Sequence, residues 1–327
     1  MRIHCLGGGL VGSFVTRRLV EAGFDVHLFD VVERESPATF HLGDALTSDH
    51  TQAQIIVNML PGSLGNKMTS LLKDSGQRIV DLSFSETTPD TLEDVSSTIL
   101  WDVGIAPGLS NMLVASAFRE FGSLDSVSIK VGGNPQQPDD EWSYMAPFSP
   151  HDVIAEYTRP ARVIQQGEQA EVPAMSELHS IDANGREMEA FLTDGLRSLL
   201  SLPAQKMGEY TVRWPGHIQR YQNTNLDPDE LVDAWALDPH RSEFTWMEVC
   251  VSSGDETRTW IVEDLGKDGD SSMARTTGLV TACCVIAWID RPDMFGSGVF
   301  APEDLPDDVI QLVVEVMSAE GVSIELR

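Results

Sequence analysis

The chain opens with a short apolar run, Ile3–Leu6, which stops at Gly7-Gly8-Gly9-Leu10-Val11-Gly12. Apolar residues then recur at Val11, Phe14, Val15, Leu19 and Val20, a helical spacing that predicts a helix over 11–21. Gly23 closes it, and Val26–Phe29 predicts a second strand ending at Asp30. Apolar runs at 54–60, 78–82 and 98–101 predict further strands, with a helical stretch over 67–73 between the first two. Strands apolar on both faces and separated by helices imply a parallel sheet covered on both sides.

From Ser126 the pattern changes to alternating strands and tight turns. Residues 161–175 predict a hairpin turning at Gln166-Gly167, and 180–193 another turning at Ala183-Asn184-Gly185-Arg186, where Asn-Gly is a strong hairpin signal. A third pairs 245–251 with 257–263 around Ser253-Gly254-Asp255. A long apolar helix over 274–289 and a final helix over 307–318 follow.

Strand, glycine turn, helix, strand and acid, in that order, form the dinucleotide-binding fingerprint in its required context. Gly7 permits the tight turn, Gly9 lets backbone N–H groups approach a pyrophosphate, and Gly12 lets the helix pack close. The helix start at Leu10 and Val11 then offers unpaired donors to phosphate. Asp30 suits the two ribose hydroxyls of NAD and repels a 2′-phosphate, so NAD is expected ahead of NADP; Arg34 is the countersign, a guanidinium able to pair with a phosphate. Leu60, Pro61, Ser83 and the 102–104 stretch follow other strand ends and are expected to line the same crevice. Asp44 is either a partner for the adenine amino group or a solvated loop acid.

The expected fold class is therefore α/β: an N-terminal Rossmann-type parallel sheet over 1–122, an α+β substrate domain with a mixed or antiparallel sheet over 123–273, and C-terminal helices over 274–327 returning to the first domain. Substrate is expected in the cleft between domains.

Charge narrows the partners. With 51 Asp plus Glu against 22 Lys plus Arg, the net charge of −29 argues against nucleic acid and against anionic membranes. Only five of the cations are lysines, a balance that suggests solubility at high ionic strength. Cys5, Cys250, Cys283 and Cys284 have neither CxxC nor zinc-type spacing, and no metal is expected. No run of 18 uninterrupted apolar residues and no signal-peptide pattern occurs, so a cytoplasmic protein is expected. His151, His179 and His240 read as surface or structural residues.

Longer motifs carry a family resemblance. Residues 101–111, WDVGIAPGLSN, resemble the glycine-proline-glycine stretch of saccharopine dehydrogenase-like proteins. Residues 156–164 (EYTRPARVI), 171–174 (EVPA), 191–196 (FLTDGL) and 214–217 (WPGH) resemble more particularly the lysine 6-dehydrogenases. The resemblance runs over nearly the whole chain and implies an NAD-linked amino-acid dehydrogenase. In such an enzyme hydride leaves the ε-carbon of L-lysine, and the imine is hydrolysed to a semialdehyde that cyclises to piperideine-6-carboxylate.

Such a substrate needs its carboxylate held, and a guanidinium does this bidentately. Arg159 is the first choice, with Arg162 and Arg213 as alternatives; the competing reading pairs Arg159 with an internal acid such as Glu156. Arg159 precedes a proline and is expected to be extended, which would put Tyr157 on the same face. Oxidation needs a neutral amine, so a base is required. His217 leads because imidazole titrates near working pH, and Asp194 is the alternative, as base, as ammonium partner or, with Thr193, merely as a helix cap. Competing functions are reductive condensation of an amino acid with a semialdehyde, as in saccharopine or carboxynorspermidine dehydrogenases, and a non-catalytic NAD-sensing protein. Open hairpin edges make a homodimer the expected assembly.

Overall fold

The computed structural model describes residues 1–327. In chain order the elements are β1 (Arg2–Leu6), α1 (Leu10–Glu21), β2 (Asp25–Asp30), β3 (Thr39–Leu42), β4 (Ile55–Asn58), α2 (Gly62–Leu72), β5 (Arg78–Asp81), β6 (Thr98–Trp101), α3 (Leu109–Phe121), β7 (Leu124–Pro135) and α4 (Pro150–Thr158). There follow β8 (Ala161–Gln165), β9 (Glu168–Val172), β10 (His179–Asp182), β11 (Glu187–Thr193), β12 (Ala204–Arg213), α5 (His217–Asn223), α6 (Pro228–Ala234), β13 (Glu243–Ser253) and β14 (Glu256–Asp264). The chain ends with α7 (Ser272–Asp290), β15 (Gly298–Phe300), α8 (Asp307–Ala319) and β16 (Ser323–Leu326).

Two compact units result, one from Met1–Leu109 with Thr277–Val316, the other from Ser110–Thr276 with Met317–Arg327. The first unit holds a seven-stranded sheet in the order β3-β2-β1-β4-β5-β6-β15, and all of its pairings are parallel. Its first six strands have the doubly wound order, which reverses direction between β1 and β4 and opens a crevice at their carboxyl ends. Ile3, Cys5, Leu6, Ile55, Ile56, Val57, Ile79 and Val80 are fully buried, because helices cover both faces. One face of β1, β2 and β3 departs from this: His4, His27 and His41 lie there with His50 and Phe29, the imidazoles joined as His4 Nδ1···His50 Nδ1 at 3.0 Å and His27 Nδ1···His41 Nε2 at 2.8 Å.

The second unit holds a mixed sheet, β10-β11-β12-β7-β13-β14-β16, with β8 pairing β12 and β9 pairing β8. Only β12 and β7 run parallel. Its three predicted hairpins are present. Gln166-Gly167 and Asn184-Gly185 both take positive φ, which gives each turn the twist its flanking strands need. Trp246, Phe244, Met188 and Val212 build its core.

Boundaries at 122 and 273 need correction, as does assigning the whole C-terminal stretch to the first unit. β16 pairs with β14, Trp260 opposite Leu326, so the chain end completes the second sheet. From Thr277 to Val316 the chain does belong to the first unit. There α7 packs on α1 so closely that a Cβ on Gly278 would sit 2.4 Å from the Phe14 ring. Helix α7 is long and apolar enough to cross a membrane, but 83% of that stretch is buried inside the protein, as a core helix requires.

Candidate active site

In the first unit the glycine turn follows β1 directly. Gly7 has φ +92°, and a Cβ there would press to 2.8 Å on the Met59 carbonyl oxygen. A Cβ on Gly12 would lie 2.0 Å from the Gly7 carbonyl, so only glycine lets α1 start this close to the turn. Gly9 is different: nothing lies within 4 Å of its missing Cβ, and it caps α1 without a side chain of its own. No acid occupies the first turn of α1 and no side chain caps it, so no carboxylate of the helix's own competes for its backbone donors and dipole. These features fit a nucleotide pyrophosphate.

Asp30, at the tip of β2, is tied to the turn. Its Oδ2 accepts from the Gly8 N–H at 2.6 Å and from Arg34 Nε at 3.1 Å, and its Oδ1 accepts from Val32 N–H. Burial works to raise its pKa, but these donors prevail and hold the carboxyl below its ordinary value. Exposed Leu10, Val31, Val32 and Leu42 belong to the same segments, at the start of α1, after β2 and at the end of β3. Asp44 uses its Oδ1 to cap the short helical turn 45–47 through the Leu46 N–H.

Behind the tips of β4 and β5 lies a buried polar network. Asn58 Nδ2 donates to the Gly65 carbonyl and to Thr69 Oγ1, and the Thr69 hydroxyl donates to Asp81 Oδ2 at 2.5 Å. Asp81 Oδ1 accepts from the Ser83 N–H at 2.7 Å. Burial pushes the Asp81 carboxyl up to about 6. The network fixes the segments carrying Leu60, Pro61 and Ser83, and Gly65 packs directly on the Ser83 side chain.

In the second unit an arginine-rich cluster forms where β8, β11 and β12 converge. Asp194, just past β11, is buried and receives Arg162 bidentately, Nε to Oδ1 at 2.7 Å and Nη2 to Oδ2 at 2.9 Å. Arg159 Nε lies 3.2 Å from Asp194 Oδ2. Glu209 fills the space beside Gly195, where a Cβ would fall 1.6 Å from its Oε1 and would have to displace that side chain. Arg213, the last residue of β12, is buried and donates from Nε to the Tyr157 hydroxyl at 2.8 Å. Its guanidinium also lies over the Tyr144 ring, 4.4 Å from the centroid. Tyr157 in turn meets His217 Nε2 at 3.2 Å, and His217 Nδ1 lies 3.0 Å from the Trp142 carbonyl oxygen. A carbonyl only accepts, so Nδ1 carries the hydrogen and Nε2 accepts from tyrosine.

The saccharopine dehydrogenase C-terminal domain family matches residues 104–322. The chain belongs to that family. Among solved structures, this family member is similar to the apo saccharopine dehydrogenase (L-Glu forming) of Saccharomyces cerevisiae, with 14% identity, TM-score 0.71, and 100% of this chain and 99% of that one covered. That likeness establishes a shared fold. It is also similar to the diaminopimelate (DAP) dehydrogenase of C. glutamicum in complex with DAP (10% identity, TM-score 0.46, 95% of each chain). A further similarity is to the aspartate dehydrogenase of Thermotoga maritima (10% identity, TM-score 0.42, 88% and 96% of the two chains).

Within this saccharopine dehydrogenase family member, Gly7, Gly9, Leu10, Val11, Gly12 and Asp30 stand together at the carboxyl ends of β1 and β2, and Tyr157, Arg159, Asp194 and His217 lie in one unit. Several expected details differ. Tyr157 is not extended but in the last turn of α4, which Ser149 caps and Pro150 opens; only Arg159 is extended. Arg159 pairs with an internal acid, Asp194, and the Glu156 charge also acts on its guanidinium. Asp194 is neither an exposed base nor a helix cap, since two guanidinium groups take its oxygens, while Thr193 bonds to Thr211. His217 is not poised near neutrality: burial, then the neighbouring Arg213 charge, lowers it to about 3, and both ring nitrogens are engaged. Its expectation as base rested on the solvent value of imidazole, which burial removes. The sequence pattern gave no weight to Asn58, Thr69, Tyr144, Arg197 or Glu209 as site residues; of these only Asn58 stands out, as a polar residue inside the apolar run 55–60.

Proposed function

We propose that this protein is an NAD-dependent dehydrogenase that oxidises the carbon bearing the terminal amine of an amino acid, with L-lysine as substrate and the 6-semialdehyde, cyclising to piperideine-6-carboxylate, as product with ammonia. The observation that carries the reading is Asp30, an ionised carboxylate at the tip of β2 anchored by the Gly8 N–H. It suits a ribose diol, next to an uncapped helix start that suits a pyrophosphate. When bound, the nicotinamide supplies the hydride acceptor.

The chain's own residues do the rest. Gly9, Leu10 and Val11 present backbone to the pyrophosphate, while Val31, Val32 and Leu42 offer apolar surface to the adenine. Leu60, Pro61 and Ser83 line the crevice, held by the Asn58–Thr69–Asp81 network. In the second unit Arg159 and Arg162 bind the substrate carboxylate, with Asp194 fixing both guanidinium planes. Tyr157, locked between Arg213 and His217, orders the neighbouring surface. His217 serves as a neutral acceptor that keeps the tyrosine hydroxyl oriented.

One observation supports a second reading, reductive condensation with NADPH. Arg34 Nε stands 3.1 Å from Asp30 Oδ2, where a guanidinium would meet a 2′-phosphate. A panel of ω-amino acids, each with NAD or NADP and read by absorbance of the reduced cofactor, separates the two. Reduction of NAD by L-lysine alone is the expected result. Silence of every primary amine, with oxidation of NADPH by an amino acid plus a semialdehyde, would replace the first reading by the second. Tight NAD binding with no turnover in either direction would leave a nucleotide-binding protein without chemistry.

A further inference from the structure

We propose that Arg34 competes with the dinucleotide for Asp30 and so sets the cofactor preference: it yields to the ribose diol of NAD and pairs with the 2′-phosphate of NADP. This deepens, and rests on, the dinucleotide half of the reading above, whichever amine is oxidised. The middle glycine of the turn shows where Arg34 lies. Gly8 is buried, and the atoms nearest its missing Cβ are Arg34 Cδ at 2.7 Å, Asp30 Oδ2 at 3.0 Å and Arg34 Nε at 3.2 Å. The arginine side chain therefore crosses the glycine turn itself, between the end of β1 and the start of α1. From there its Nε donates to Asp30 Oδ2 at 3.1 Å, while its two Nη nitrogens donate to no group of the chain. The side chain is 37% exposed, so the guanidinium is open to a ligand.

Counting acceptor sites gives the competition. A carboxylate oxygen has about two of them. Asp30 Oδ2 has both taken, by the Gly8 N–H at 2.6 Å and by Arg34, and Oδ1 has one taken, by the Val32 N–H at 2.8 Å. A diol that donates twice needs two sites and finds one, so Arg34 Nε has to leave Oδ2 before both hydroxyls are held. The other two donors are backbone groups, of the turn and of the chain leaving β2. Arg34 is a side chain on the irregular segment between β2 and β3 and moves without refolding either. A 2′-phosphate meets the opposite situation. Asp30 repels it, and among residues 30–38 Arg34 is the single cation against Asp30, Glu33 and Glu35. Its Nη pair suits a phosphate bidentately. The discrimination that Asp30 alone would impose is thus narrowed from both sides, by hindering NAD and by admitting NADP.

The test is calorimetric titration of NAD, NADP and adenosine 2′,5′-bisphosphate into the substrate-free protein, for wild type, Arg34→Ala, Asp30→Asn and the double variant. Wild type should bind NAD and NADP with dissociation constants within about tenfold of each other. Arg34→Ala should tighten NAD by roughly threefold or more and weaken NADP and the bisphosphate by roughly tenfold or more. Its melting temperature should stay within about 2 °C of wild type, as for other exposed side chains. The NAD gain should disappear when Arg34→Ala is made in the Asp30→Asn background, because no carboxylate is left to contest. Equal loss of both dinucleotides in Arg34→Ala, or no change in either, would overturn the assignment. So would a NAD gain that persists without Asp30, or a wild type that binds NADP more than about 100-fold less tightly than NAD. Wild type that binds neither dinucleotide would overturn the cofactor site and the role of Arg34 with it. One that binds both yet oxidises no amine would overturn only the substrate half of the reading.

Discussion

His217 shows how far a residue's surroundings override its intrinsic chemistry. Its pKa falls from 6.5 to about 3 on folding, so between those values the unfolded chain holds a proton that the folded chain refuses. The stability this contributes is complete above about pH 6.5 and is lost as pH falls toward 3, at about 1.4 kcal/mol per pH unit within the window. His4, lowered to about 4 chiefly by burial, acts in the same direction. Asp81 acts oppositely: raised from 3.8 to about 6, it contributes most at low pH and costs stability as pH rises through that interval. Denaturant titrations from pH 4 to 8 should therefore show His217→Gln with a flatter acid slope than wild type and Asp81→Asn with a steeper one. His217→Gln should also lose about 1–3 kcal/mol at pH 8, because the Tyr157 hydroxyl and the Trp142 carbonyl lose their partner.

At the scale of elements, the glycine turn separates packing from binding. Gly12→Ala has to push α1 away from the Gly7 carbonyl, which should cost about 1–3 kcal/mol and lower the melting temperature. Gly9→Ala meets nothing in the chain and should leave melting nearly unchanged, yet weaken NAD binding by about tenfold or more, read by fluorescence titration. Both glycines were legible in the sequence because the turn sits between two strands buried on both faces. β15 and β16 were not, being short, half-exposed strands with no clear period. The instructive omission is β12. Its 208, 210 and 212 positions face one way, and Tyr210 and Val212 join the core. Its other face carries Glu209, Thr211 and Arg213, all buried. A strand with polar residues on an inward face reads as loop in a hydrophobicity pattern. α4 was missed for a similar reason, since the Arg159-Pro160 pair suggested extended chain and concealed the helix ending one residue earlier.

Taken whole, the molecule is strongly acidic, with a net charge of −29, yet one part of the second unit concentrates arginine. Arg159, Arg162, Arg197 and Arg213 all lie in the second unit, and Arg197 and Arg213 are buried there, while the surplus of acid belongs to the surface. Self-repulsion among surface carboxylates is relieved by screening, so the melting temperature should rise from dilute buffer to molar KCl. A melting temperature indifferent to salt would show that the acidic surface carries no such strain. The division of the chain has a temporal side as well. In chain order β1 to β6 come first, but this sheet lacks β15 and the segment from Thr277 to Val316 until β7 to β14 have all been made. The second sheet waits longer still, for the edge strand at Ser323–Leu326. The first sheet is therefore completed by a chain that has already supplied every strand of the second sheet except its edge strand β16.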